Sequence, residues 1–420
     1  MSLEMNPFHP SRPSPETPSA AREREDNAKL ETAVTQAIKN TLIEWRKHPG
    51  KIVPLTQWVG TKELGDDKLT VPTVVDHLSA VEQPKRSIEE LNELSLISIN
   101  MNALGERQDS VNRANVGTTP LEKQFLEFLT SREKDASIIC LQDFPLYRLK
   151  VLGPQLHKMG FSYYANVCGV DGKAPGHLMA LVTLVNTRSQ ALDGYAIDMP
   201  ELSITPHMQG SHKEVKVVRT KDGEEHAVTT YPSGEPPFVE AYGSEARGWA
   251  GPHTYQTLNA KFRVMGMDGH ARTVVISNIY MSPASYMVER NRSVRTSLKN
   301  SKSLAGKNGV AVFIGDMNTY GYDAPRAIGR NPVTYFPLTA GLSALEHFDL
   351  LEVKHMRNLA SKLGFQKGDI GSEPTVTRAA GMVGMQLDHA FARGVKEITA
   401  NPPIPVTFTD HKALETFCTF

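Results

Sequence analysis

The stretch Val310–Thr319, VAVFIGDMNT, decides the fold: five apolar residues stop at Gly315 and give way to Asp316 and Asn318. A bounded run of that length reads as a short strand in a core, because a fully buried helix would run to ten residues or more. The polar pair follows directly, and a strand core delivers such groups to its end with little positional slack. Taken alone, GD-x-N also fits a turn in which Asp and Asn bond their own backbone. The weight therefore lies on whether other strands end in the same way.

Several do. Leu94–Asn100, LSLISIN, closes on Asn100 with Asn102 just after it. Ser137–Leu141 runs into Gln142 and Asp143, Gln386–Ala392 contains Asp388, and Val406–Thr409 runs into Asp410 and His411. Thr273–Tyr280, Leu178–Val185 and Tyr255–Met265 are further strand-like runs. Helical spacing appears between them at Pro120–Arg132, Leu146–Met159, Ser285–Leu304 and His347–Leu363. Many strands with interspersed helices predict an α/β chain, either two packed sheets flanked by helices or a doubly wound parallel sheet.

Outside this region the character changes. Residues 1–25 are rich in proline, serine and charge and read as a disordered tail. Residues 26–92 read as an N-terminal helix, with an apolar stripe from Leu30 to Trp45, and a linker. The domain that carries the chemistry spans 93–420, and its polar, turn-rich piece at about 200–252 reads as an insertion.

Composition narrows the partners. Of 420 residues, 40% are hydrophobic and 22% charged, which is ordinary for a globular chain, and 46 basic residues balance 46 acidic ones. Nucleic-acid binding would need a local patch, such as Lys213, Lys216, Arg219 and Lys221 in the insertion, where interleaved Glu and Asp favour a solvated hairpin. Cys140, Cys168 and Cys418 are too scattered for a disulfide framework or a cysteine zinc site. No apolar run nears the roughly 20 residues that cross a bilayer, and no cleaved signal peptide is apparent. A soluble protein of a reducing compartment is the expectation.

Carboxylates gathered on one rim repel and raise one another's pKa unless a cation neutralises them, so the set implies a divalent metal. Oxygen and amide donors favour Mg2+ or Mn2+ over zinc. A histidine among them supplies a proton-transfer group or a donor to a phosphoryl oxygen. Together these are the parts of phosphoryl-transfer chemistry.

The ordered blocks ISINMNAL, ICLQD, SNIYMSP, FIGDMNT, QLDHAFA and TDHKAL resemble those of the endonuclease/exonuclease/phosphatase superfamily. The resemblance covers about residues 93–420 and is carried by the order of the blocks. It implies the DNase-I-like fold, a four-layer two-sheet sandwich flanked by helices, here with an N-terminal helical extension. It implies Asp143, Asn102 and Asp410 as metal ligands and Asn100 as a holder of phosphate or metal. Asp316 would orient or deprotonate the attacking water, and Asn318 would stabilise charge on the phosphoryl oxygens. Asp388 would fix His411 for contact with the scissile phosphate, and Tyr280 would donate to phosphate or help the leaving group.

Two positions depart from the family pattern. Asp143 stands where the family has Glu, and Asn102 where some members carry an acidic residue. Both reduce the reach or charge of the metal site. Nucleic acid is the expected substrate. A phosphoinositide phosphatase is the alternative, since TDHKAL resembles the ending of the 5-phosphatases, although their tryptophan-containing block is replaced here by QLDHAF. A catalytically weakened binding module is the third reading.

Overall fold

The computed structural model describes residues 49–55, 73–78, 83–101, 119–170, 178–207, 214–219, 225–230, 255–281, 287–318, 352–370, 374–378 and 383–420. The expected tail, the N-terminal helix and Asn102 lie outside them.

In chain order the first elements are β1 (Val53–Pro54), β2 (Thr73–Asp76), β3 (Glu93–Asn100), α1 (Pro120–Arg132), β4 (Ile138–Pro145), α2 (Leu149–Lys158), β5 (Phe161–Val170), β6 (Leu178–Asn186), β7 (Ala196–Ile197) and β8 (Glu201–Pro206). There follow β9 (Glu214–Arg219), β10 (Glu225–Thr230), β11 (Gln256–Met265), β12 (Ala271–Tyr280), α3 (Met287–Ala305), β13 (Val310–Asp316), α4 (Glu352–Lys362), β14 (Gln366–Lys367), β15 (Val376–Arg378), β16 (Val383–Met385), β17 (Asp388–Arg393), β18 (Glu397–Ala400) and β19 (Leu414–Thr419).

The larger strands form two mixed sheets. One has the order β1-β8-β11-β12-β13-β17-β14 with β7 beside β11, and the other β18-β19-β3-β4-β6-β5-β2. Each has one parallel pair near its middle, β12 with β13 and β3 with β4. In both cases a helix makes the crossover, α3 in the first sheet and α1 in the second. The chain is thus a two-sheet α/β sandwich, and the doubly wound alternative is set aside.

The alternation of side chains explains why these strands read as unbroken apolar runs. In β3, Leu94 and Leu96 face the other sheet, while Ile97 and Ile99 face a layer built with Phe125 and Leu129 of α1. In β13, Val310, Val312 and Ile314 point between the sheets, and Ala311 and Phe313 pack towards Val294 and Leu298 of α3. Both faces are covered, so both alternate sets are apolar. The same period of two places Asn100, Gln142, Asn278, Tyr280, Asp316 and Asp388 on the faces that look at each other.

Several elements differ from the sequence reading. Val406–Thr409 is not a strand but a bend, and the strand follows it at β19. That strand was hidden by Glu415, a buried acid that is 3.3 Å from Arg132 and accepts from Asn401 at 2.7 Å. Strand β5 was hidden by Ser162 and Asn166, which the fold satisfies through Leu78 and Gln256. Parts of the expected linker are edge strands, β1 on β8 and β2 on β5. The expected insertion starts later than residue 200, because Glu201–Pro206 pairs along β11, and the hairpin β9-β10 lies within it.

Candidate active site

Strands β3, β4, β12 and β13 point their carboxyl ends at one rim, and antiparallel β17 begins there. Asp316 is in register with Tyr280 on one side and Asp388 on the other, while Asn100 is in register with Gln142, the residue before Asp143. The two sheets meet at a hydrogen bond: Asn100 Nδ2 donates to Asp316 Oδ2 at 2.7 Å.

Asp316 is held from several directions. The Asn318 backbone N–H donates to its Oδ1 at 2.8 Å, and Asn318 Nδ2 reaches Oδ2 at 3.2 Å and the Met281 carbonyl at 2.7 Å. Asn318 takes a left-handed φ of 45°, which a short amide side chain tolerates. Gly315 precedes them at φ 144°, and a Cβ there would fall 2.2 Å from the Ile279 carbonyl oxygen, so only glycine lets β13 end this close to β12.

His411 Nδ1 lies 3.1 Å from Asp388 Oδ2, and both residues are buried. The expected pairing is therefore in place, and it leaves Nε2 as the ring atom to meet a ligand. His411 enters on a loop rather than at a strand end. Its backbone bridges Val376, and its N–H reaches Thr409 Oγ1 at 3.3 Å; the Thr409 hydroxyl in turn donates to the Asn100 carbonyl at 2.8 Å. The Thr375 hydroxyl accepts from the Leu387 and Asp388 N–H groups at 2.9 and 3.2 Å. Sequence reasoning missed Thr375, for which EPTVT offers no signal, and Thr409, whose place two residues before His411 suits a hydroxyl turn.

Three titratable groups share this pocket of low dielectric. Burial and then the Asp388 carboxylate push Asp316 up to about 7, against the pull of His411, the Asn318 N–H and Asn100. Burial alone would lower His411, but the charge and hydrogen bond of Asp388, helped by Asp316 and Asp410, raise it to about 9. At neutral pH the ring is a cation that balances its acidic neighbours.

The expected metal ligands are less gathered. Asp143 is buried at the rim with a left-handed φ of 51°, whereas Asp410 is exposed. Among the described residues no three His, Cys, Asp or Glu side chains come together to hold an ion. The donor set still suits magnesium, which keeps several waters and is held by one or two carboxylates together with substrate phosphate. Asp143 and Asn100 carry hard oxygens on the paired strands β4 and β3, where Asn100 is in register with Gln142, the residue before Asp143. Tyr280 is nearly buried, its ring 5.3 Å from that of Tyr255 at 60°.

No family model matches the chain, and no curated protein matches it. Solved structures do. An endonuclease/exonuclease/phosphatase protein from Beutenbergia cavernae is similar at 12% identity and a TM-score of 0.45, covering 78% of this chain and 72% of its own. The human Nocturnin catalytic domain, solved with bound sulfate, is similar at 9% identity and 0.43, covering 78% and 95%. The Xenopus laevis APE2 catalytic domain is similar at 15% and 0.38, covering 78% and 92%. On its own strand order, the chain is a two-sheet α/β sandwich flanked by helices.

Proposed function

We propose that this protein is a divalent-metal-dependent phosphoesterase that hydrolyses phosphodiester bonds of nucleic acid. The observation that carries the reading is the meeting, at one rim, of the buried Asp388–His411 pair and the Asn100–Asp316–Asn318 cluster, contributed by both sheets. Asp316, poised near neutral pH, orients the attacking water and takes its proton. His411, held as imidazolium by Asp388, donates from Nε2 to a phosphoryl oxygen. Asn318 adds a donor where charge builds.

Asp143, with Asn100 and Asn102, would hold Mg2+ or Mn2+, which supplies charge neutralisation at the phosphoryl group. The support for nucleic acid over other phosphodiesters is Tyr280, a phenol in register with Asp316 at the position to which the superfamily resemblance gives a phosphate donor or leaving-group role. The Tyr280→Phe variant should lower kcat about 10- to 100-fold with little change in KM, because the hydroxyl is asked to act mainly in the transition state. An equal rise in KM would assign it to ground-state binding instead.

The test is hydrolysis of plasmid DNA, single-stranded RNA, a phosphoinositide and bis-p-nitrophenyl phosphate in Mg2+, Mn2+ or EDTA. Metal-dependent cleavage of a nucleic acid and of the model diester supports the reading. Phosphate release from the phosphoinositide alone would replace it with a lipid-headgroup phosphatase, and no turnover in any metal would leave a binding module.

A further inference from the structure

We infer that Asn278 is a positioning residue for Asp143: from the opposite sheet it clamps the β-bulge that turns this carboxylate to the rim. Strands β4 and β6 pair in register from Ile138 opposite Val185 to Leu141 opposite Val182, and pairing resumes at Phe144 opposite Ala180. Gln142 and Asp143 therefore face Leu181 alone, two residues against one. Such a bulge bends its strand and re-aims a side chain. Asp143 sits at its apex with φ 51°, a left-handed conformation that a short Asp side chain tolerates better than most residues with a Cβ.

The surroundings are specific. Asn278 Nδ2 donates to the Leu141 carbonyl at 3.1 Å and to the Val182 carbonyl at 3.0 Å, which are the two residues facing each other where the ladder breaks. Its Oδ1 accepts from Gln142 Nε2 at 2.7 Å. Gln142 is fixed further by Ser98 Oγ at 3.2 Å, and its carbonyl accepts the Met101 N–H at 2.8 Å. Asn278 and Gln142 are both fully buried, so neither reaches a ligand. One amide thus spends both its donors on the backbone of the bulge and its acceptor on the side chain beside Asp143. Asn278 lies two residues before Tyr280, on the same face of β12, so the clamp also sets the separation between the Tyr280 and Asp143 ends of the two sheets.

The consequence for metal affinity rests on the proposed role of Asp143, whereas the clamp itself does not, so the test separates them. Full-length wild type, Asn278→Asp, Asn278→Leu and Ser277→Ala are compared. Asn278→Asp keeps the shape and the acceptor for Gln142 but removes the paired donors. Ser277 is its buried neighbour on the opposite face, bonded to Asn259 and Ser301, and controls for general loss of core stability. Amide hydrogen exchange over residues 139–146 is measured, together with Mn2+ binding from the loss of the free-ion EPR signal.

Both Asn278 variants should exchange at least about 10-fold faster at 142–144 and bind Mn2+ about 10- to 100-fold more weakly, the range for residues that orient metal ligands. Ser277→Ala should lower Tm and change neither. Unchanged exchange in Asn278→Asp, or equal acceleration in Ser277→Ala, overturns the clamp. If wild type withdraws no Mn2+, the metal role of Asp143 falls, and the exchange comparison alone decides the clamp.

Discussion

His411→Ala should lower kcat on the model diester by about 1,000-fold, at the upper end of the range for loss of one preorganised donor to a developing oxyanion, while KM changes little. Asp388→Asn should cost less, about 10- to 100-fold, because the ring remains and only its charge and orientation suffer. The ordering follows from the geometry: Asp388 is fully buried behind His411 and bonds one ring nitrogen at 3.1 Å, so it acts through the imidazole. Wild-type kcat in His411→Ala would remove the histidine from the mechanism.

The same cluster makes the metal-free protein pH-sensitive. His411 is raised from 6.5 to about 9, so its contribution to stability is fully present below pH 6.5 and is lost as pH rises to 9. Asp316 is raised from 3.8 to about 7, so the folded state holds its proton longer than the unfolded chain, and stability is lost as pH rises through that window. Both act in one direction. In EDTA, Tm should fall between pH 6.5 and 9, and a Tm that climbs there would show that the folded ring is not a cation.

The parts of this site that were legible in the sequence were those that end apolar strands. Asn100, Asp143 and Asp316 stand out because both faces of β3, β4 and β13 are covered, so the residues before the rim are mostly apolar or small and the polar ones at the ends are conspicuous. His411 was found for a partly wrong reason: it follows a bend, and Thr409 and Val376 place it. Asn278 and Gln142 were passed over because a buried amide inside a strand looks like a surface position until its partner on the other sheet is known. Strands β5 and β19 were missed on the same ground, since Asn166 and Glu415 are satisfied by residues far away in the chain. What pattern reading lacks is the identity of the partner that makes a buried polar group tolerable.

Glu122 is the strongest instance of that lesson, and its replacement should have the largest effect on stability. At the third position of α1 it closes a capping box, accepting the Thr119 N–H at 2.6 Å while the Thr119 hydroxyl accepts the Glu122 N–H at 3.2 Å. The same carboxylate, 1% exposed, pairs through both oxygens with the Arg148 guanidinium, itself 4% exposed. Arg148 ends the short turn that leaves β4 after Asp143, so the pair ties the start of α1 to the strand that carries the proposed metal ligand. Glu122→Ala would strand a buried guanidinium, which costs about 3–5 kcal/mol, and lose the box, worth about 1 kcal/mol. The double variant Glu122→Met with Arg148→Met removes both charges and should lose far less than the single one, because the desolvation of both ions disappears with their attraction. Urea denaturation midpoints of the three proteins decide it: a double variant as unstable as Glu122→Ala would mean that the pair itself, and not the stranded charge, supplies the stability.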